Sequence, residues 1–352
     1  MARQSSKDHD QLKADAGLKR KNRWTLIILA LGGLITLGLG LLIAGYSYIN
    51  YSYETPPDPS ATQTAVFDVP RGSGLSVIAE RLEAEGFINN ADLFKLVTKL
   101  RGNEANFKAG EFALVPGSSM ATIYDNLANG RAILYPITAP EGITSAQIVR
   151  ALDGVATLVD DDPAIPAEGT LLPETYLTPR GMKQSDLLKK MAAAQTALLD
   201  EIWDARAPGL PITSREEAII LASVVEKETG VGMERDKVAG VFTNRLRRGM
   251  PLQSDPTIIY GITGGDPIGR RIRQSEIDAV TDWNTYQIPG LPKTPICNPG
   301  EAAIRAVLNP AETDALFFVA DGTGGHAFAA TLADHERNVA RWRQIQRDRG
   351  LR

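Results

Sequence analysis

The run Leu221-Ala222-Ser223-Val224-Val225-Glu226-Lys227-Glu228-Thr229-Gly230 ends an apolar stripe on carboxylates and offers them no evident basic partner. A carboxyl group in such surroundings stays protonated at neutral pH and can serve as a general acid. At about 100° per residue, Leu221, Ala222, Val225 and Thr229 fall within about 60° of Ala218, and this face is expected to meet the core. Lys227 then points to water. Glu226 and Glu228 stand about 200° apart on the flanks of the stripe, so they cannot form a facing pair. Glu228 has Val224 and Val225 one turn before it, whereas Glu226 has Ala222 and Ser223. Desolvation therefore favours Glu228 as the acid. The plainer alternative is two solvated glutamates near a helix end. Ser214 with Glu217, or Thr213 with Glu216, supplies a capping box at the start, and Gly230 suits a left-handed C-terminal position.

A second concentration of polar chemistry lies in Leu252-Gln253-Ser254-Asp255-Pro256-Thr257-Ile258-Ile259-Tyr260-Gly261, and a third in Asp282-Trp283-Asn284-Thr285-Tyr286. Amide, hydroxyl and carboxylate groups beside aromatics can hydrogen-bond sugar hydroxyls while rings stack on sugar faces. Each segment taken alone is also ordinary turn chemistry, with Asp255 capping a turn before Pro256. Together with a glutamate of the buried type they point to a polar saccharide cleft.

The elements that must hold these groups follow from the rest of the chain. Its 352 residues, 43% hydrophobic, can bury one large core or two smaller ones. A formal charge of −4 gives no basic footprint and argues against nucleic acid as a partner. Cys297 is the only cysteine, and His9, His326 and His335 are scattered, so neither a disulfide, a metal site nor any cofactor is expected. From Trp24 to Tyr53 there is no charged residue, more than the roughly 20 residues a bilayer-spanning helix needs. Lys19, Arg20, Lys21 and Arg23 precede this run, while Glu54 and Asp58 follow it, which predicts a cytoplasmic tail over 1–23 and a span over 24–49. A cleaved signal peptide is the competing account, against which the apolar run is much longer than a usual signal-peptide core and lacks a clear Ala-x-Ala site. Thr55-Pro56-Pro57-Asp58-Pro59-Ser60 reads as part of a stiff linker over 50–63. A small module over 64–137 is expected as a strand at 65–69, a helix through Leu75, Ile78, Ala79 and Leu82, a second capped by Asn90, a strand from Gly110, a helix from Met120 and a strand at 132–137. A larger mixed segment fills 138–352, with a helix over Arg235 to Arg248 ended by Gly249. The fold class is α+β.

Ordered motifs add a resemblance. Glu141-Gly142, Glu168-Gly169-Thr170-Leu171-Leu172-Pro173-Glu174-Thr175-Tyr176, Leu221 to Thr229, Glu234-Arg235-Asp236-Lys237, Asn244-Arg245-Leu246, Gln253 to Gly261, Asn284-Thr285-Tyr286, Gly290-Leu291-Pro292, Asn298-Pro299-Gly300 and Val319 to Phe328 stand in the order seen in the MltG/YceG-like endolytic murein transglycosylases. The resemblance runs from the apolar span to about residue 345. It implies a single-pass inner-membrane enzyme with a LysM-like module and a periplasmic catalytic domain. Such an enzyme cleaves nascent peptidoglycan strands between N-acetylmuramic acid and N-acetylglucosamine, helps end strand growth, and works beside peptidoglycan synthases of the elongation machinery. The family's catalytic glutamate is the second of Glu-Lys-Glu, here Glu228.

The implied chemistry uses one titrating carboxyl, which protonates the glycosidic oxygen and then takes the proton of the muramic acid C6 hydroxyl as an anhydro ring closes. An attacking group already within the substrate has a high effective concentration, so no second carboxylate is needed. Gln253, Ser254, Asp255, Thr257 and Tyr260 are expected to position the sugar, and Asn284 and Tyr286 to line the same groove. His326 is expected to hold a loop near the cleft, and Glu174 is a second carboxyl candidate. The chain departs from the family pattern at Leu171 and Leu172, where an aromatic is usual, at Lys293-Thr294 after Gly290-Leu291-Pro292, and at Cys297, where a small residue is typical. Two other readings stay open, a membrane-anchored glycan-binding module with an inert site and an assembly factor of the elongation machinery.

Overall fold

The structure, a computed structural model, describes residues 2–102 and 107–350. Met1, Leu351 and Arg352 lie outside the described residues, as do the side chains of His9, Lys19, Arg20, Lys21 and Arg23. The chain divides into two compact units, Met1–Ile133 and Leu134–Arg352, and is mixed α+β.

The first unit contains α1 (Ala2–Glu54), β1 (Ala65–Val69), α2 (Leu75–Ala84), α3 (Ala91–Leu100), β2 (Gly110–Leu114) and α4 (Met120–Ala128). β1 and β2 pair antiparallel, with Ala65 opposite Leu114 and Val69 opposite Gly110. Their alternating side chains put Phe67 and Phe112 into a core with Leu82, Phe94, Ile123 and Leu127. Asn90 caps α3 by accepting from the Leu93 N–H at 2.8 Å, and Gly86, at φ +79°, lets the chain turn after α2. Leu96 faces solvent, because it falls off the face carrying Phe94 and Val97.

The apolar part of α1, from Ile27 to Glu54, is long and apolar enough to cross a membrane, and its side chains up to Tyr48 are exposed. Its last turn is different. Tyr53 is fully buried in the first unit's core, beneath the Arg101 guanidinium, and Glu54 pairs with Arg101 at 2.6 Å. The segment expected as an extended spacer therefore starts as helix and then turns back, with the Asp58 N–H donating to the Gly117 carbonyl at 3.1 Å. An aromatic at the helix end that fits the core outweighs the extended preference of the prolines that follow.

The second unit runs β3 (Leu134–Thr138), α5 (Ser145–Leu152), β4 (Leu158–Val159), β5 (Thr175–Pro179), β6 (Met182–Lys183), α6 (Gln184–Ile202), α7 (Arg215–Glu228), α8 (Arg235–Arg247), α9 (Asp255–Thr263), α10 (Gln274–Ile277), α11 (Glu301–Leu308), β7 (Phe317–Ala320), β8 (His326–Ala329) and α12 (Leu332–Asp348). The strand expected at 132–137 forms as β3, but it pairs antiparallel with β5, Leu134 opposite Pro179. β4 and β6 make a short parallel pair, and β7 and β8 a hairpin.

α7 is the central element of the larger core. Every residue from Ala218 to Val225 is buried, and α8 and α11 pack against it. One inward face was the expectation, whereas the helix is covered all round until its last turn; Ile219, Ile220 and Val224 are what allow this. Ser214 accepts from the Glu217 N–H at 3.1 Å, but Glu217 returns to the Thr213 N–H and hydroxyl, so the cap is shared between two residues. At the other end Thr229 is extended (φ −135°, ψ 123°) and its hydroxyl accepts from the Val231 N–H at 3.0 Å. The left-handed residue expected at Gly230 is absent, because that hydroxyl already turns the chain.

Candidate active site

Glu228 is the last residue of α7, where the buried helix reaches the protein surface. Protein crowds its carboxyl on most sides, yet part of the residue remains accessible to solvent. Burial raises the carboxyl pKa above the usual range, and the nearby charge of Asp255 pushes the same way. A hydrogen bond from the Ser254 hydroxyl to Oε1, at 2.5 Å, and the positive fields of His326 and Arg245 oppose this without cancelling it. Oε2 has no hydrogen-bond partner among the described residues.

Glu226 differs in its partners. Its side chain is 7% exposed, lies 3.5 Å from Arg235 and accepts from the Gly300 N–H at 3.1 Å. Burial raises its pKa too, opposed by the Gly300 bond and by Arg235. An acid tied to a guanidinium and a backbone N–H is a structural tie, so the geometry separates the two glutamates.

Ser254 comes to Glu228 because α9 begins there. Pro256, expected in a turn, instead occupies the first turn of α9, where its missing N–H costs nothing. Ser254 is fully buried and its N–H donates to the Thr285 hydroxyl at 3.0 Å. Thr257 is also buried; its hydroxyl donates to the Ser254 carbonyl at 2.6 Å and lies 2.9 Å from that of Thr285. Asp255 accepts from the Tyr286 hydroxyl at 2.7 Å, which holds the two polar segments together, and burial raises the Tyr286 pKa. Gln253 is exposed and held at φ +52°, a left-handed conformation that a non-glycine residue adopts only under constraint; its N–H donates to the Thr285 carbonyl at 3.0 Å.

The structure thus brings Gln253, Ser254, Asp255 and Tyr286 to the neighbourhood of Glu228. Thr257 stands beneath them as support. Asn284 is buried with its amide donating to the carbonyls of Glu276, Ile277 and Ala279, so it shapes the loop and has no donor left for a ligand. Tyr260 faces elsewhere, toward a cavity where its hydroxyl lies 3.4 Å from Glu168. Glu174 is exposed. His326 opens β8 and is fixed by Glu234, whose carboxylate accepts from the His326 N–H at 3.0 Å and lies 2.7 Å from Nδ1.

With this geometry in place, a family model described as the YceG-like family matches residues 67–341. The chain belongs to the YceG-like family. Among curated relatives of this YceG-like chain, a Bacillus subtilis (strain 168) protein named endolytic murein transglycosylase is 28% identical over 329 residues, 84% of this chain and 90% of that protein. A Streptococcus pneumoniae (strain D39) protein of the same name is 29% identical over 355 residues, 86% of this chain but 63% of that protein, so the chain spans less than two thirds of it. A crystal structure of a yceG-like protein from Listeria monocytogenes is 26% identical, with a TM-score of 0.47 over 79% of this chain and 99% of that one.

Two buried charged residues of the second unit were not singled out by type and spacing. Arg245 is buried on α8, where it donates to the Leu316 carbonyl at 2.7 Å and the Leu252 carbonyl at 2.8 Å, and desolvation lowers its pKa. It clamps the approach to Gln253 and Ser254 against β7. Its spacing carried the signal, since 245 continues the inward face of Val238, Val241 and Phe242. Glu168 is the other, a largely buried carboxyl that accepts from the Ser145 N–H at 2.9 Å and the Asn298 amide at 3.1 Å, with a pKa raised by burial.

Proposed function

We propose that this chain is a peptidoglycan lytic transglycosylase acting within glycan strands, with Glu228 as its acid and base. The observation that carries the reading is the state of that carboxyl, which burial holds toward its protonated form while Oε2 stays free and one hydroxyl holds Oε1. A protonated Glu228 delivers its proton to the oxygen linking N-acetylmuramic acid to N-acetylglucosamine. The bond breaks through an oxocarbenium-like state. The carboxylate so formed accepts the proton of the muramic acid C6 hydroxyl, whose oxygen closes onto the anomeric carbon, and Glu228 returns to its starting state. No water is consumed. Gln253, Asp255 and Tyr286 position the sugar, while Ser254 orients the carboxyl, and Thr257 and Asn284 hold these residues from beneath. The relatives named endolytic murein transglycosylase support this substrate and bond.

The apolar stretch of α1 supports a single-pass anchor in the inner membrane. Trp24 and Tyr46, both exposed, stand 22 residues apart, roughly 33 Å along a helix, which fits aromatic anchors at the two faces of a hydrocarbon core of about 30 Å. The basic residues before the span put the tail at 1–23 in the cytoplasm and both units in the periplasm. In this reading the 64–137 segment is a LysM-like glycan-gripping module, 138–352 is the catalytic domain, and synthases of the elongation machinery supply the nascent strand whose growth it ends.

The test is digestion of uncrosslinked glycan strands by wild type and Glu228→Gln, with mass spectrometry of the product ends. Anhydro ends from wild type alone are expected. Reducing ends, one water heavier, would replace the reaction with hydrolysis, and no products from either protein would leave a glycan-binding module.

A further inference from the structure

The second unit contains a cavity of about 580 Å³ that the proposed reaction does not use. Its walls come from α6, α7, α9 and the loops around Glu168 and Trp283. Ile219 of α7 lines it, nine residues before Glu228, so it lies roughly 13 Å along the helix from the acid. A ligand there could not touch Glu228, yet it would rest on the same helix.

The lining says what kind of ligand fits. Tyr260 and Trp283 meet edge to face, with centroids 5.8 Å apart, and form an aromatic wall. Polar groups come from Glu168, whose Oε2 lies 3.4 Å from the Tyr260 hydroxyl, and from Gln195, Thr196, Arg215 and Glu216. Gln195 is 3% exposed; its Nε2 donates to the Gly169 carbonyl at 3.1 Å, and its Oε1 has no partner among the described residues. That acceptor is closed to solvent, so a ligand N–H meets it only once the Gln195 side chain turns toward the cavity. Long alkyl chains would leave these polar groups unmet, whereas an acetamido sugar brings an N–H, hydroxyls, a small methyl and a C–H face that stacks on an indole.

We propose that this cavity is a remote subsite for an N-acetylhexosamine unit of the glycan strand, with Trp283 stacking on the ring and Gln195 reading the acetamido N–H. The inference rests on the proposed glycan substrate and makes the enzyme count sugars away from the cut. Binding energy gathered there holds the strand in register over Glu228.

The experiment uses the full chain in phospholipid nanodiscs. Binding is read on Glu228→Gln by saturation-transfer NMR with the tetramer of N-acetylglucosamine as probe, alone and combined with Gln195→Leu, Trp283→Ala or Thr196→Trp. Thr196 is exposed at the cavity mouth, so the last change fills the entrance without disturbing the core. The acetamido methyl signal is expected to fall at least fivefold in all three. With Glu228 intact, each variant is expected to raise KM for glycan strands at least fivefold while kcat stays within twofold. Unchanged binding and KM in Thr196→Trp, in a protein that melts like the parent, would overturn the subsite while leaving the cleavage reaction standing. Displacement of the sugar by decanoate would overturn it in favour of an acyl site. Probe binding lost in the variants of a chain that cuts no glycan would uphold the subsite and remove the proposed reaction.

Discussion

Replacing Glu228 by Gln separates chemistry from structure, because the two side chains are nearly the same size and the amide oxygen still accepts the Ser254 hydroxyl. What disappears is the proton. Loss of a general acid and base costs about 10² to 10⁴ in rate, or roughly 2.7 to 5.4 kcal/mol of transition-state stabilisation at 1.36 kcal/mol per tenfold. Stability moves the other way. The folded pKa of Glu228 is raised by burial above its unfolded value of about 4.3, so the wild type loses stability as pH rises from that value through the folded pKa. The Gln variant does not titrate there. The two proteins should melt together below about pH 4, and the variant should melt higher at pH 7.5, each kcal/mol of relief being worth roughly 2 to 4 °C for a unit of this size. Thermal melts across pH, alongside product formation from glycan strands, read both effects. A variant active to within tenfold of wild type, or one that melts lower at pH 7.5, would refute the reasoning.

Ser254→Ala removes the bond that favours the ionised form, so the Glu228 pKa rises further and the alkaline limb of the pH–rate profile moves to higher pH. An unmoved limb would count against Glu228 as the titrating acid. Glu226→Gln loosens the tie to Arg235 and is expected to cost about 1 to 3 kcal/mol in denaturant unfolding, with activity kept within tenfold. Tyr53→Ala empties a fully buried aromatic site in the first unit, for a loss of about 3 to 5 kcal/mol. Limited proteolysis is then expected to cut the 55–64 segment in the variant and to spare it in wild type.

Local signals were legible wherever one residue type fixed one backbone feature. Asn90 capped its helix and Gly249 ended α8 at φ +65°, whereas burial raises the pKa of both Glu226 and Glu228, and what separates them is the Arg235 and Gly300 tie of Glu226, which the residues one turn before them do not reveal. Pairing over distance was not legible either. Nothing within 132–137 tells that this strand will join Thr175–Pro179, because the register is set by residues some forty positions away. The polar segments were read correctly as neighbours, but not which side chains face out, since Thr257 and Asn284 spend their hydrogen bonds on the backbone around them. Tyr260 turned to the cavity beside Glu168 because α9 begins at Asp255, and a helix places residue 260 on a different side from 254. Glu168 and Arg245 were missed as individuals for a related reason: a buried charge is recognised by the partners that satisfy it, and those come from Ser145, Asn298 and Leu316.

The seating of Tyr53 inside the first unit has a mechanical consequence. The last turn of α1 is packed into the body that follows it, so turning or tilting α1 turns that body as well. With α1 as the proposed anchor, the height of that body over a bilayer would be fixed by where the hydrophobic stretch stops, not by the reach of a tether. A soluble version cut after Glu54 would start with a hole in its interior, so one meant to fold should retain residues from about Ile49 onward.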